Sequence, residues 1–273
     1  MTDKVLSNFV DKHLGKRIFI FGTGPGLNDV TPEQLAHIEE NEISIGVNFT
    51  PFHVTPTYWV AGGHATYIAF AIEHLSDKTT GIFHHDPGAR SMYPSSEKIV
   101  YTDDSIAPDH GNPIPPDKIP STLIGGHNIL LSASHLAYIL GAFEIVYIGF
   151  SQVNRLHFYN LWSEERQEEL KSKLRNLAEK YKDNASIVEC VNEMLNIDED
   201  DEQRWCHFKP VDVCKNLSFK KEGKAHHNYP IFKNYVDQFK GEAIRVLTTA
   251  TEGICVDAGA GIVKLEDIIG VGK

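Results

Sequence analysis

The chain has 273 residues, of which 41% are hydrophobic and 10% aromatic, enough for one large domain or one domain with a substantial insertion. Its formal net charge is −11, so unspecific binding to nucleic acid or to an anionic membrane surface is not expected. The four cysteines match no zinc-ligand or redox spacing, which indicates reduced thiols. Because neither a signal peptide nor a run of about 18 apolar residues is found, we expect a cytoplasmic protein.

The predicted elements of the first half alternate between strands and helices. Residues 17–21 form a continuous apolar run, which is typical of a strand buried on both faces. A helix is predicted to start with Thr31 as N-cap, Pro32 at its first position and Gln34 completing a capping box. A second helix is predicted at 66–74. Four further strands are predicted at 43–47, 58–61, 81–83 and 98–101. This order indicates a parallel sheet with crossover helices.

The second half continues the pattern around two less regular stretches. Residues 103–120 are rich in Pro, Asp and Gly and are predicted to form a surface loop, long enough to serve a site. Residues 183–224 are polar and weakly periodic, which is typical of a lid or an insertion. The remaining predicted helices lie at 128–140, 163–182, 228–239 and 264–269. The remaining predicted strands lie at 144–150 and 243–247.

These elements predict a Rossmann-like α/β fold, with a mostly parallel sheet and helices on both faces. Residues 1–162 are predicted to form a nucleotide-binding core. Residues 163–224 would be a helical or loop-like lid, and residues 225–273 would complete the core with a helix and a strand.

A glycine-rich turn follows the first predicted strand. It consists of Gly22, Thr23, Gly24, Pro25 and Gly26. Backbone N–H groups and a helix N-terminus in this context can hold a phosphate, so we predict a nucleotide site; a tight turn without a ligand is the alternative. The dinucleotide fingerprint is absent, since Leu27 follows and no acidic residue ends the second strand. That strand ends at Asn48, whose amide can hydrogen-bond a ribose or a base.

These motifs resemble the opening of the bacterial sialyltransferases of glycosyltransferase family 42, in which Gly-x-Gly-Pro-Gly/Ser-Leu follows a strand and the next strand ends in Asn. They are also similar to domain of unknown function 115, which includes archaeal 6-hydroxymethylpterin diphosphokinases. The similarity returns at Gly125-Gly126-His127, at 140–149 and at 248–269. It implies a nucleotide held across the carboxyl ends of the strands, with Gly125 and Gly126 taking part.

The resemblance also implies catalytic residues. In the sialyltransferases a histidine just before the last core helix is the base toward the acceptor hydroxyl, and His226 or His227 has the matching spacing. Tyr159 is the nearest match to tyrosines that hydrogen-bond the departing phosphate, and Arg155 is an added candidate for that phosphate. The alternatives are exposed loop histidines and a packed tyrosine. This chain has Ser151-Gln152 where the family often has an acidic residue, which leaves the sugar and the acceptor open.

Two groups of acidic and histidine residues are better explained without a metal. Asp103 and Asp104 are adjacent in a loop, unlike a metal-binding Asp-x-Asp, and are typical of a solvated turn. The residues His84-His85-Asp86 follow a strand, where adjacent side chains point to opposite faces and cannot readily share one ion. No metal site is therefore predicted.

We predict a metal-independent glycosyltransferase that moves a sugar from a nucleotide-activated donor, with a CMP-sugar as the candidate, to an acceptor hydroxyl. Its partners would be a nucleotide-sugar, used as co-substrate, and a glycan or small-molecule acceptor, with no cofactor. One alternative is an ATP-dependent diphosphotransferase acting on a small hydroxymethyl compound, which needs Mg²⁺. The other is a non-catalytic nucleotide-binding module. The sequence leaves the oligomeric state open, a homo-oligomer included.

Overall fold

The computed structural model describes residues 6–61, 69, 73, 75–83, 98–102, 123–124, 128–153, 156–195, 208, 211–216 and 224–271. In these ranges one eight-stranded sheet is present, in the order β5-β4-β3-β2-β1-β6-β7-β8, and every neighbouring pair of strands is parallel. The strands are β1 (Arg17–Phe21), β2 (Ile43–Val47), β3 (Tyr58–Ala61), β4 (Thr80–Phe83), β5 (Ile99–Tyr101), β6 (Glu144–Ile148), β7 (Arg245–Thr248) and β8 (Gly261–Ile262). The predicted Rossmann-like α/β fold is confirmed.

The helices connect and cover these strands. They are α1 (Pro32–Asn41), α2 (Ile129–Ile139), α3 (Glu164–Lys180), α4 (Ala185–Leu195), α5 (Val211–Asn216), α6 (Lys224–Gly241), α7 (Ile254–Asp257) and α8 (Leu265–Ile269). Short 3₁₀ helices lie at Leu6–Phe9, Pro25–Asp29, Thr50–Phe52 and Phe158–Leu161. Of the helices that the structure describes, none has both the length and the apolar character needed to cross a bilayer.

Side-chain caps fix the starts of three helices. Thr31 Oγ1 accepts from Gln34 N–H at 3.3 Å, while the Gln34 side chain accepts from Thr31 N–H at 3.0 Å, which completes the predicted capping box. Asn128 caps α2 through Leu130 N–H, and Ser163 caps α3. Each cap satisfies an N–H group that the helix itself leaves unpaired, which is why these starts were predictable from sequence.

Two predicted features near the site are wrong. The glycine turn does not adjoin an α-helix, because it enters the 3₁₀ helix Pro25–Asp29 and α1 begins only at Pro32, after its own N-cap. The last long helix begins at Lys224 instead of residue 228. Its first turn lacks the apolar periodicity on which the prediction depended, although lysine and alanine are good helix formers.

The sheet divides the core into two layers because successive strand residues point to opposite faces. On the first face, Ile18 and Ile20 of β1 pack with residues of α2 and α6. On the second face, Phe19 and Phe21 pack with residues of α1, α3 and α4. A central strand buried on both faces needs apolar residues throughout, which explains the continuous run in β1.

The region predicted as a lid contains α3, α4 and α5. Buried leucines and aliphatic residues of α3 and α4 belong to the same apolar cluster as Phe19 and Phe21 of β1; they are Leu170, Leu174, Leu177, Ile187 and Val191. These two helices therefore cover the second face of the sheet. The predicted domain division and the lid function stay predictions, and the predicted helix 66–74 and loop 103–120 lie almost wholly outside the described residues.

The order of the strands reverses between β1 and β6. From β1 the chain proceeds strand by strand to one edge of the sheet at β5, returns through α2 to β6 beside β1, and then continues to β8 at the other edge. In open parallel sheets, ligands bind outside the carboxyl ends of the strands at such a reversal. The glycine turn follows β1 and therefore lies at this position.

Candidate functional site

The glycine turn and the end of β6 meet through main-chain atoms. Gly22 N–H donates to Ile148 O at 2.7 Å, and Gly24 N–H donates to Gly149 O at 2.9 Å. A Cβ on Gly22 or Gly24 would lie 2.6 or 2.5 Å from Gly149 O, closer than real Cβ atoms approach. Gly149 itself has φ +75°, a left-handed conformation that favours glycine. These glycines let the two backbones lie directly against each other.

The same turn leaves two main-chain donors unpaired. Among the residues that the structure describes, the N–H groups of Thr23 and Gly26 have no hydrogen-bond partner, and both residues are partly buried. A Cβ on Gly26 would find its nearest neighbour, Asp29 Oδ2, at 3.8 Å, so this side of the turn has free space. Successive main-chain N–H groups at the end of a strand can bind an anion without any basic side chain.

Asn48 lies at the end of β2, beside the glycine turn. Its φ is +48°, and its main chain is held by β3, since its N–H donates to Val60 O at 3.2 Å and its carbonyl accepts from Trp59 Nε1 at 2.8 Å. The side-chain Oδ1 is buried and has no partner within the described ranges. A buried polar atom without a partner costs roughly 1–3 kcal/mol, so this oxygen suits the hydroxyl or N–H donor of a ligand.

A 3₁₀ helix after β6, Phe158–Leu161, borders the glycine turn on its other side. Phe158 N–H donates to Thr23 O at 2.8 Å, and Asn28 Nδ2 donates to Phe158 O at 2.8 Å. The Nδ1 atom of His157 lies 3.2 Å from Thr23 Oγ1. The segment after β6 therefore contacts the turn through both main-chain and side-chain atoms.

Tyr159 lies beneath this contact. Its side chain is fully buried, and its ring stacks on that of His157 with the centroids 5.0 Å apart and the planes 9° from parallel. Its ring also makes an edge contact with Phe49, at 5.9 Å between centroids. The structure thus shows Tyr159 supporting the His157 ring, and its predicted contact with a departing phosphate stays a prediction.

A second aromatic group holds the 3₁₀ helix that follows the turn. The Arg166 guanidinium lies 3.6 Å from the centroid of the Trp162 ring, and its Nη2 is 3.3 Å from His53 Nδ1. Trp162 Nε1 donates to Asn28 Oδ1 at 3.3 Å. Burial, reinforced by the charge of Arg166, lowers the pKa of His53 and favours a neutral imidazole at pH 7.

The loops after β6 and β7 form the opposite side of the site. Gln152 has φ +50°, and its Oε1 accepts from Asn128 Nδ2, the cap of α2, at 3.3 Å. Ile254 N–H donates to Ser151 O at 3.1 Å, and Gly253, with φ +94°, leaves no room for a Cβ against that carbonyl. The Ser151-Gln152 pair, where the similar family often has an acidic residue, is thus anchored at the carboxyl edge of the sheet.

The structure brings some predicted site residues together and leaves others apart. The turn Gly22–Gly26 and Asn48 follow neighbouring strands and share one edge. His226 and His227 belong to the first turn of α6. Because α6 ends next to the start of β7 and spans the sheet, that turn lies toward the carboxyl edge, where Tyr229 Oη donates to Asp257 O at 3.2 Å.

Several predicted residues fall outside the described part of the chain, and their roles stay predictions. They are Gly125, Gly126 and Arg155. The residues at which the sequence analysis argued against a metal site also lie outside the described part; they are His84, His85, Asp86, Asp103 and Asp104. Among the described residues no group of three His, Cys, Asp or Glu side chains is placed to hold a metal ion.

His157 is a site residue that the sequence did not single out, and Gln152 was named there only as a departure from the similar family. Both follow β6 within a few residues of Gly149, and β6 is the neighbour of β1. Segments that follow neighbouring parallel strands meet at the same edge of the sheet. The position of these residues after β6 is visible in the sequence, but it points to the site only once β6 is known to lie beside β1.

Comparison with known proteins gives a weak structural similarity and no family match. No family model matches the chain, and no curated protein matches it. Among solved structures the chain is similar to the MAf glycosyltransferase from Magnetospirillum magneticum AMB-1, with 17% sequence identity and a TM-score of 0.36. The match covers 55% of this chain and only 27% of that protein. A similarity of this size carries no argument about the reaction, so the function is inferred from the site.

Proposed function

We propose that the protein is a glycosyltransferase that moves a sugar from a nucleotide-activated donor, with a CMP-sugar as the candidate, to an acceptor hydroxyl without a metal ion. One observation carries the proposal. At the reversal point of the sheet, the close-fitting turn Gly22–Gly26 leaves the N–H groups of Thr23 and Gly26 without partners in the described structure.

The charge of the chain makes local donors important. With a formal net charge of −11, the protein as a whole repels a phosphate. An anionic ligand must therefore be bound by dipoles and cations close to it, and unpaired main-chain amides supply such dipoles. The Oδ1 atom of Asn48, buried and without a partner among described residues, would accept a hydrogen bond from the ribose or the base.

The proposed reaction balances without a cofactor. The bond between the anomeric carbon and the phosphate oxygen of the donor breaks, and the nucleotide leaves with that electron pair. His226 or His227 takes the proton from the acceptor hydroxyl as its oxygen bonds to the anomeric carbon. The amides of the glycine turn stabilise the charge that develops on the phosphate, with Arg155 and Tyr159 as further candidates for that contact.

Calorimetry with CMP, UDP and ATP, each with and without EDTA and Mg²⁺, tests the proposal. Binding of CMP or UDP that EDTA leaves unchanged is the expected result. Binding of ATP that depends on Mg²⁺ would instead indicate the diphosphotransferase. If none of the three nucleotides binds, the proposed function is wrong.

Catalysis is tested separately from binding, with a panel of CMP- and UDP-sugars. Alanine at both His226 and His227 should abolish release of the nucleotide from the donor while its Kd changes less than about threefold. Nucleotide release that survives both substitutions would rule out the histidine base. Nucleotide binding without any turnover in the wild type would favour the non-catalytic module.

A further inference from the structure

Gln152 lies in the loop that follows β6, at the carboxyl edge of the sheet. Gly149, three residues earlier, contacts the glycine turn, since Gly24 N–H donates to Gly149 O at 2.9 Å. The loop is also held from the other side, because Ile254 N–H donates to Ser151 O at 3.1 Å. Gln152 is therefore carried on a fixed main chain next to the proposed phosphate site.

The amide of Gln152 has a defined orientation. Leu130 N–H can only donate, so the atom of Asn128 that accepts from it at 3.0 Å is Oδ1, and Nδ2 is left to face Gln152. Because Nδ2 also can only donate, the atom of Gln152 that lies 3.3 Å from it is the carbonyl Oε1. The N-cap of α2 therefore sets the orientation of both amides.

This orientation leaves the amide nitrogen of Gln152 available to a ligand. The residue is half-buried, and its Nε2 has no partner among the residues that the structure describes. An amide nitrogen offers two N–H donors and no charge. Where the similar family often has an acidic residue, this chain thus presents a neutral donor at the edge of the site.

The order of the strands sets which part of a donor reaches Gln152. The strands β2, β1 and β6 are neighbours in the sheet, and adjacent strands lie about 4.8 Å apart. In a nucleotide-sugar the phosphate stands between the nucleoside and the sugar. With the nucleoside at Asn48 after β2 and the phosphate at the turn after β1, the sugar extends over the loop after β6.

We propose that Gln152 is a specificity residue for the transferred sugar: its Nε2 donates to a hydroxyl or carboxylate oxygen of that sugar. Asn128 is a positioning residue that holds the amide in this orientation. The inference rests on the proposed function and deepens it. Gln152 contributes to binding of the whole donor and not to binding of the nucleotide alone.

Three variants change the donor in different ways. Gln152→Met keeps the length of the side chain but has no donor, whereas Gln152→Glu keeps the contact with Asn128 and replaces Nε2 with an acceptor. Asn128→Asp keeps the cap on Leu130, but its second carboxylate oxygen accepts from Gln152 Nε2 and so turns Oε1 outward. Asn41→Asp adds the same charge at the exposed end of α1, before β2 begins, and is the control.

Calorimetry without an acceptor would compare Kd for CMP and UDP with Kd for CMP- and UDP-sugars, both neutral and acidic. Gln152→Met should weaken binding of the nucleotide-sugar that the wild type turns over about five- to tenfold, because one hydrogen bond to the sugar is lost. It should change binding of the nucleotide alone less than about twofold. Asn41→Asp should bind every ligand as the wild type does.

Gln152→Glu and Asn128→Asp should agree with each other, because both replace the donor with an acceptor. If the bound group is a hydroxyl, it donates to the new acceptor, and both variants should stay within about threefold of the wild type. If the bound group is a carboxylate, both should weaken binding at least about tenfold. A difference between the two variants would contradict the role of Asn128.

Other outcomes overturn the inference. Equal losses for nucleotide and nucleotide-sugar in Gln152→Met would mean that Gln152 only supports the loop. Wild-type affinity for both ligands in that variant would mean that Nε2 contacts no sugar, and either result leaves the proposed function standing. A wild type that binds neither CMP nor UDP would refute both proposals. Should thermal melting show that Gln152→Met does not fold, Gln152→Ala replaces it in the same comparison.

Discussion

The two ends of the sheet differ in how their polar groups are used. At the amino end, Glu144 at the start of β6 is 2% exposed and forms ion pairs with Arg17 of β1 and, at 2.7 Å, with Arg245 of β7. Arg17 also donates to Ile268 O at 3.0 Å and lies 3.4 Å from Glu42. Here the charges of neighbouring strands satisfy one another.

At the carboxyl end of the same strands, several polar groups lack a hydrogen-bond partner in the described part of the chain. The N–H groups of Thr23 and Gly26 and the buried Oδ1 of Asn48 have no partner in the described structure. Left-handed backbone does not distinguish the two ends, since Asn48 and Gln152 have it here and Asp11 and Ala243 have it at the amino end. Unpaired buried polar groups tend to occur where a protein binds something. The comparison indicates that the amino end stabilises the fold, and it supports the proposal that the carboxyl end binds a ligand.

The largest effect on stability is expected at the amino end. Glu144→Ala should lower the free energy of unfolding by about 2–3 kcal/mol, because two arginines lose a buried partner, and should leave nucleotide affinity unchanged. Urea denaturation and calorimetry measure the two quantities. Glu179→Ala, which breaks an exposed pair with Lys182, is the control and should show no measurable loss. A Glu144 variant as stable as this control would contradict the assignment of stability to the amino end.

At the carboxyl end, Gly24→Ala should affect both quantities. Its Cβ would lie 2.5 Å from Gly149 O, so the turn must move, at a cost of about 1–3 kcal/mol in unfolding free energy. Affinity for CMP or UDP should fall at least about tenfold as the donors shift. Gly241→Ala, at the end of α6 and with nothing within 4 Å of its Cβ, is the control, because it lies away from the proposed site. Equal effects of the two alanines would mean that the close contact with β6 is unimportant.

The close contact of Gly24 with Gly149 and the free space at Gly26 were not visible in the sequence, where the turn is simply glycine-rich. Local signals predicted several elements: continuous apolar runs marked β1 and β6, and the capping box of Thr31 and Gln34 marked the start of α1. Contacts between distant segments were not predictable in this way. Arg17 and Glu144 are 127 residues apart and Thr23 and His157 are 134 apart, so their proximity follows from the strand order.

Two differences from the expected site also have a physical description. The capping box of Thr31 and Gln34 starts α1 at Pro32, as predicted, but the 3₁₀ helix Pro25–Asp29 lies between it and the turn, so the macrodipole of α1 lies away from the turn. The predicted start of α6, at residue 228, lies after the observed start at Lys224. Apolar periodicity marks the buried face of a helix, and the first turn of α6 has no such pattern.

Asn48→Gly tests whether the buried amide serves a ligand. Glycine accepts the left-handed backbone, so unfolding free energy should change by less than about 1 kcal/mol while nucleotide affinity falls about tenfold. Ala243→Gly provides the control, since Ala243 also has positive φ, at +61°, but precedes β7 at the amino end. Its affinity should equal that of the wild type. Loss of stability without loss of affinity in Asn48→Gly would assign the amide to the fold.

The smallest effect concerns pH and the amino end. Burial lowers the pKa of His13, and Lys12 and Lys16 add to the shift, so protonation favours the unfolded chain. Burial raises the pKa of Tyr58 to about 12, so its hydroxyl stays protonated beside His13 Nε2, which lies 2.8 Å away. The contribution of His13 should be complete above about pH 6.5 and lost as pH falls through the folded-state pKa.

Urea titrations at about pH 7.5 and about pH 5 would measure this contribution. Between these two pH values, the free energy of unfolding should fall less in His13→Gln than in the wild type. The difference should be below about 1 kcal/mol, because the His13 side chain is partly exposed and water screens its charge. The lowered pKa of His53 acts with the same sign but is present in both proteins, so the difference isolates His13. An identical loss in the variant and the wild type would contradict the role of His13.

The most direct test of the proposed phosphate site is the NMR signal of the Thr23 and Gly26 amides. In protein labelled with ¹⁵N at threonine and glycine, saturation with CMP or UDP should shift the Thr23 and Gly26 N–H resonances strongly, while cytidine and uridine shift them little. The Gly241 amide, at the end of α6, should not respond to either. Nucleotide that binds while the Thr23 and Gly26 signals stay in place would contradict the account.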